Sequence, residues 1–200
     1  MTQKSDLTAH PVRYEMMRLI ADDKPVPADQ FAAVLAAHHA FLAAGGGGGR
    51  WETFVTAGGL ELGMVLGVYL GAGQKVSAGQ QAQLTHKRLD GLNLKGVELP
   101  YANLCGAACA GQDLTGANLE GGLWVDADLT GSVLHGANLT SADLSRSDMQ
   151  RCDLREANLT QADLQNADLR GADLRGAILD GIKVKGAYID LPKVEGTGPT

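Results

Sequence analysis

The chain is predicted to be mainly β, a solenoid wound as a square coil, with a small α-helical region ahead of it. Three observations predict this. From about Lys87 to Leu191 an apolar residue, usually Leu, stands at every fifth position without a skipped beat. Two residues before it stands a small one, usually Ala. Just after it come turn residues, often Gly, as in Gly106 and Gly131.

A period of five fits neither a helix nor a continuous strand. Ala157 and Leu159 lie two apart, so a short strand turns both to the same side. Ala162 lies three residues further on and shares that side only if the chain turns a corner after Leu159. Glycine suits such a corner because it reaches positive φ without a Cβ clash. Short strands and corners, with Ala and Leu always inward, make a coil whose turns stack ~4.8 Å apart. The inward positions are then Leu104, Leu114, Leu119, Trp124, Leu129, Leu139, Leu144, Leu154, Leu159, Leu164, Leu169 and Leu174. Cys109 and Cys152 also point inward, as small apolar fillers, and Cys105 looks outward.

Ala102-Asn103-Leu104-Cys105-Gly106, Gln112-Asp113-Leu114-Thr115-Gly116 and Ala117-Asn118-Leu119-Glu120-Gly121 resemble the pentapeptide-repeat family, whose pattern is A(D/N)LXX. The resemblance covers a little over half the chain and keeps about twenty units in phase. It implies a right-handed quadrilateral parallel β-helix with four units, hence twenty residues, per coil. Residues 87–191 then make about five coils.

The rest of the chain divides around this segment. Residues 1–50 read as helical, ending in a Gly-rich linker. Pro11 can open a first helix whose stripe is Val12, Met16, Leu19 and Ile20. Asp22 to Pro27 breaks it. A second helix runs from Ala28 to Ala44, with Phe31, Val34, Leu35, Phe41 and Leu42 on its apolar stripe and His38 beside them. Such a pair buries little by itself, and the open N-terminal end of the coil is the nearest surface. Gly45 to Gly49 is followed by Arg50-Trp51 rather than the Lys-Ser/Thr of a phosphate loop, so it reads as a linker. Residues 51–86 are a strand-containing lead-in, with strands at Trp51–Val55 and Leu60–Leu70. Residues 192–200 are a loose tail.

Charge narrows the function. The chain carries a net −6, of which −1 falls in residues 1–86 and −5 in residues 87–191. A mildly acidic chain without a basic cluster argues against direct nucleic-acid binding. Three cysteines fit no disulfide framework or zinc spacing. The polar N-terminus lacks a signal-peptide core, and the run from Leu60 to Leu70 is too short to span a bilayer. The expectation is a cytoplasmic protein with no membrane partner. No HExxH, GxSxG or paired-carboxylate motif is present, and His38 and His39 are adjacent, so they cannot share a helix face as a metal pair. No catalytic, cofactor or metal residue is assigned.

Stacking the repeat at twenty residues turns the sequence into four faces. One carries Asp128, Asp148 and Asp168, an acidic row. Members of the family that protect DNA gyrase and confer quinolone resistance resemble a short rod of B-DNA. An Asp every ~4.8 Å approaches the ~3.4 Å charge spacing of one DNA strand. Yet between Asp143 and Arg175 seven acids meet five arginines, a net −2. Five coils also make a rod only about 25 Å long. The preferred reading is a non-catalytic protein–protein interaction or scaffold module. The alternative is a DNA-mimicking gyrase-binding protein of the quinolone-resistance type, and DNA gyrase is a partner only under it. Pentapeptide proteins that this chain resembles often pair end to end through the C-terminal coil, so a homodimer by that route, or another partner there, is expected. Around Trp124, which Gly122 makes room for, the repeat falters, leaving Leu123 and Val125 facing outward beside Cys105 as a candidate contact patch. The N-terminal segment, or else a partner, is expected to cover it.

Overall fold

In the computed structural model of the chain, residues 24–46, 50–55, 65–70 and 82–189 are described. The helix read from Val12 to Ile20, the residues 60–64 and the tail 192–200 lie outside them. Helix α1 spans Ala28–Ala43, and strands β1 (Arg50–Val55) and β2 (Val65–Leu70) pair antiparallel, from Arg50 opposite Leu70 to Val55 opposite Val65.

Beyond Ala82 the chain is a stack of parallel ladders with a step of twenty residues. Gln83, Asn103, Leu123, Asp143, Asp163 and Lys183 form the first. Arg88, Ala108, Asp128, Asp148, Asp168 and Tyr188 form the second. Glu98, Asn118, Asn138, Asn158 and Ile178 form the third, and Asp113, Val133, Asp153 and Asp173 the fourth. A corner every five residues leaves each side too short for a regular strand. Only β3 (Asp168–Leu169) and β4 (Tyr188–Ile189) pair over two consecutive residues among the described part of the coil.

Both backbone groups of each unit are used. Leu114 N–H donates to Val133 O at 2.7 Å on one neighbouring turn, and Asn118 N–H donates to Val97 O at 2.9 Å on the other. The corner closes on itself, as where Ala107 N–H donates to Leu104 O at 3.0 Å. That i to i+3 bond with positive φ at the third residue is the pattern of a type II turn. Gly fills many of these third positions, but nine non-Gly residues hold the same φ of 56–62°: His86, Tyr101, Asp126, Ser141, Arg146, Arg151, Glu156, Gln161 and Asn166. The ladder register therefore dictates the corner even where the side chain resists it, at ~1 kcal/mol or more per site.

The core is one column of Leu and Ala. Leu104, Leu114, Leu119, Trp124, Leu129, Leu139, Leu144, Leu154, Leu159, Leu164 and Leu169 are fully buried, as are Cys109 and Cys152. Burial fades towards the C-terminal end, where Leu174 and Leu179 are only partly covered. At the other end the coil is plugged. Val26 and Phe31 join the cluster of Leu84, Leu89 and Leu94, with Val34 and Leu35 packed against it. Pro25 extends the second ladder by pairing with Arg88, and Val26 N–H donates to Arg88 O at 2.9 Å. α1 thus covers an end that would otherwise be open sheet edge.

His38 ties the plug down. Its Nδ1 accepts the Ala82 N–H at 3.1 Å, its ring stacks on Phe41 at 5.7 Å, and it is fully buried. Burial lowers its pKa to about 4, with the His39 charge adding to the effect and the Pro100 carbonyl opposing it. The neutral ring is the one that folds. Its contribution to stability should be complete above the unfolded pKa of ~6.5 and fade as pH falls towards 4. Urea titrations at pH 7 and pH 5 should show this loss. His38→Leu should flatten the pH dependence while lowering stability at pH 7 by roughly 1–3 kcal/mol, since the Ala82 N–H loses its acceptor.

Two glycines separate backbone strain from packing. A Cβ at Gly131 (φ +64°) would meet nothing within 4 Å, whereas one at Gly122 would lie 2.8 Å from Trp124 Nε1 and 3.0 Å from Leu119 O. Gly131→Ala should cost only the left-handed strain, ~1–2 kcal/mol. Gly122→Ala should cost as much or more through overpacking, ~1–3 kcal/mol, and should also shift the Trp124 fluorescence. Thermal melts of the two variants, read together with emission spectra, check both.

Candidate functional site

The polar rows along the ladders are first of all corner fittings. Asp128 Oδ1 accepts the Thr130 N–H at 3.0 Å, Asp148 Oδ1 that of Gln150 at 3.0 Å, and Asp168 Oδ1 that of Arg170 at 3.1 Å. Asn118, Asn138 and Asn158 receive the backbone N–H two residues on in the same way, as do Asp113, Asp143, Asp153, Asp163 and Asp173. Asp and Asn share this acceptor oxygen, so the interchange within the A(D/N)L pattern is a choice of charge on a conserved geometry.

Much of that charge is cancelled locally. Arg155 forks onto Asp153 (2.6 Å), Arg170 onto Asp168 (2.5 Å) and Arg175 onto Asp173 (2.5 Å), while Lys183 reaches Asp163 at 3.1 Å. Arg175 and then Arg155 hold the Asp173 carboxyl down at a pKa of about 2. Exposed pairs of this kind add little to stability, but they remove isolated negative charge from the surface. Within the acidic row Asp148 differs. Burial, and the neighbouring Asp168 and Asp128, push its carboxyl above the usual carboxylate value.

The apolar patch expected outside is not exposed. Leu123 is 0% and Val125 2% accessible, and Cys105 is 3%. They form a small cluster of their own, separate from the core column. Their neighbour Trp124 does occupy the inside, and alternation still places Leu123 and Val125 on its outer side. That side is covered. Cys105 accordingly has a pKa raised to about 12, chiefly by burial and then by Asp143 and Asp126. Such a thiol is inert.

Two features here escape one-dimensional reading. Arg146 forks onto Asp126 with contacts of 2.9 and 2.5 Å, and the Asp126 side chain is 5% accessible, which makes this the most enclosed ion pair among the described residues. The twenty-residue offset between the two was the available signal. The His38 bond to the Ala82 amide has no comparable signal, because it joins segments that do not share the repeat. Among the described residues no group of His, Cys, Asp and Glu could hold a metal ion, and no helix is long and apolar enough to cross a membrane.

The acidic row yields a prediction. Asn at position 148 keeps the acceptor for the Gln150 N–H and removes a charge that its surroundings disfavour. Asp148→Asn should therefore raise stability at pH 7, with the gain shrinking as pH falls and the wild-type carboxyl protonates. Paired urea titrations at pH 7 and pH 4 would show whether the gain is there and whether it shrinks.

The twenty-residue ladders can now be set beside known proteins. A family model described as pentapeptide repeats matches residues 113–151 and 152–188, in eight copies. No curated protein matches the chain. Among solved structures, a pentapeptide repeat protein (Rfr23) from the cyanobacterium Cyanothece 51142 is 34% identical, over 48% of this chain and 66% of that one, at a TM-score of 0.47. HetL, a pentapeptide repeat protein involved in heterocyst differentiation regulation in Nostoc, is 32% identical, over 54% and 61% of the two chains, at 0.40. QnrB1, a plasmid-mediated fluoroquinolone resistance protein, is 19% identical, over 53% and 67%, at 0.46. This chain thus spans just under two thirds of the Rfr23 and HetL structures. With the family match and the twenty-residue ladders together, residues 113–188 are a run of pentapeptide repeats, and the same five-residue phase extends ahead of them.

Proposed function

We propose that the protein is a non-catalytic interaction module, a right-handed four-sided rod of about five coils that offers its C-terminal coil to a partner in the cytoplasm. The end coil carries this reading. Asp173, Ile178 and Lys183 each end a ladder among the described residues. Ile178 is 47% and Val184 41% accessible, the two large apolar side chains exposed among the described residues. Leu174, Leu179, Ile182 and Ile189 lie half-covered beneath them. An edge of this kind favours pairing with another β-surface. A second copy of the chain is the simplest partner, since two equal ends bury each other symmetrically.

Light scattering at high concentration should give a dimer. Ile178→Lys combined with Val184→Lys should convert it to a monomer with the coil still folded by circular dichroism. A wild-type monomer at every concentration would end this version of the proposal.

The second reading, a DNA-mimicking ligand of gyrase, draws on the unbroken Asp128–Asp148–Asp168 ladder. The arginine forks on Asp153, Asp168 and Asp173 weigh against it, because a mimic needs its charge presented rather than cancelled. A supercoiling assay separates the readings. The interaction module predicts no inhibition and no protection of gyrase at micromolar protein.

A further inference from the structure

Between residues 101 and 170 the outward positions of the coil are partly or fully accessible on every face, with one exception. Asn103, Cys105, Leu123 and Val125, successive rungs of the first ladder, are buried, and the adjoining Asp126 side chain is nearly so. The next rung, Asp143 and Ser145, is partly accessible again. A single chain therefore covers two rungs of one face and nothing comparable elsewhere along this stretch. Alternation turns these side chains away from the core column, so the cover comes from outside the coil.

We propose that the β1–β2 hairpin (Arg50–Val55 and Val65–Leu70) lies across these two rungs as an intramolecular clasp. Three observations select it. First, α1 is already committed to the coil's end, through Phe31 in the core and His38 on Ala82. Second, the hairpin's residues include Trp51, Phe54, Val55, Val65, Leu66, Val68, Tyr69 and Leu70, and an isolated two-stranded ribbon is marginal in water without a surface to lie on. Third, the chain that leaves β2 re-enters the coil at Ala82 and Gln83, and Gln83 is the rung directly before Asn103 on the covered ladder. Two stacked rungs from Gln83 amount to only ~10 Å. The twelve residues from Gly71 to Ala82 span that easily, at ~3.3 Å each when extended.

The clasp gives the non-repeating lead-in a role. It closes the first ladder's face to partners around Leu123, so the patch is an internal joint rather than a docking site. Binding through the sides of the rod is then left to the other three ladders and to the first ladder from Asp143 onward.

Cys105 reports on the clasp directly. In the intact folded chain none of the three thiols should react with a water-soluble thiol reagent. Replacing residues 50–70 with a Gly/Ser linker of equal length should make one thiol react at least tenfold faster, identified as Cys105 by mass spectrometry, while Cys109 and Cys152 stay protected inside the coil. Removing residues 1–23 should leave Cys105 protected. Continued protection of Cys105 in the linker variant, or exposure on removal of residues 1–23 instead, would overturn the proposal. If the linker variant exposes all three thiols, a second variant decides. Leu123→Arg in the full chain should raise the rate of proteolytic cutting within residues 47–81 at least tenfold with the coil's circular dichroism unchanged. An unchanged cutting rate would overturn the clasp.

Discussion

The corner is the constraint on which the rest of this molecule depends. Each is closed by a backbone bond across the turn, and most also by an Asp or Asn oxygen receiving the N–H two residues on, as at Asn138 and Thr140. Because a corner recurs every five residues, the straight segments between corners contain room for two inward side chains, one small and one large. Ala and Leu follow from that geometry. So does the twenty-residue register, which lets Leu139 N–H meet Asn158 O at 2.7 Å on the next turn. The nine non-Gly residues with positive φ show how strongly the register acts, since each of their corners is held in a conformation its own side chain opposes.

A fold that spends its polar residues on corners leaves less of them for recognition than their number suggests. The acids of the second and fourth ladders look like a charged surface in sequence. In space they serve backbone amides, and Arg155, Arg170 and Arg175 are drawn across several of them. What remains distinctive is where the repeat ends. α1 and His38 close one end with packed apolar contacts and a buried hydrogen bond. The other end fades into half-covered Leu174, Leu179 and Ile182. The asymmetry between a plugged end and a fading one gives the rod a direction, and it concentrates exposed apolar surface where a partner coil could continue the stack.

The covered rungs around Leu123 carry a similar lesson about irregularity. Gly122 lets Trp124 into the core by removing the one atom that would collide with it. The apolar residues on either side of Trp124 depart from the polar pattern of the outer face, and they are the ones that are enclosed. The Asp126–Arg146 pair at their margin is itself mostly enclosed, a costly arrangement unless both partners keep their contacts. Around Trp124, then, the departure from the repeat coincides with enclosure of the outer side.

The sequence alone determined the coil. An exact period is a translational rule, and it places the inward residue and the corner of each unit, while the step of twenty that pairs the ladders came with the family resemblance. It also marked α1 through its apolar stripe, including the buried His38. Tertiary structure decided the rest. The outward placement of Leu123 and Val125 was legible from alternation, and a cover over them was expected from their apolar character, but how complete it is was not legible, because solvent exposure depends on what another segment does and no period links the two. The pairing of Arg146 with Asp126, rather than with Asp143 or Asp148 closer in sequence, required the stacked register, since it joins neighbours across turns. The His38 bond to the Ala82 amide lies beyond both rules, for it forms where the non-repeating chain meets the first turn of the coil, and only their packing brings those two groups within 3.1 Å.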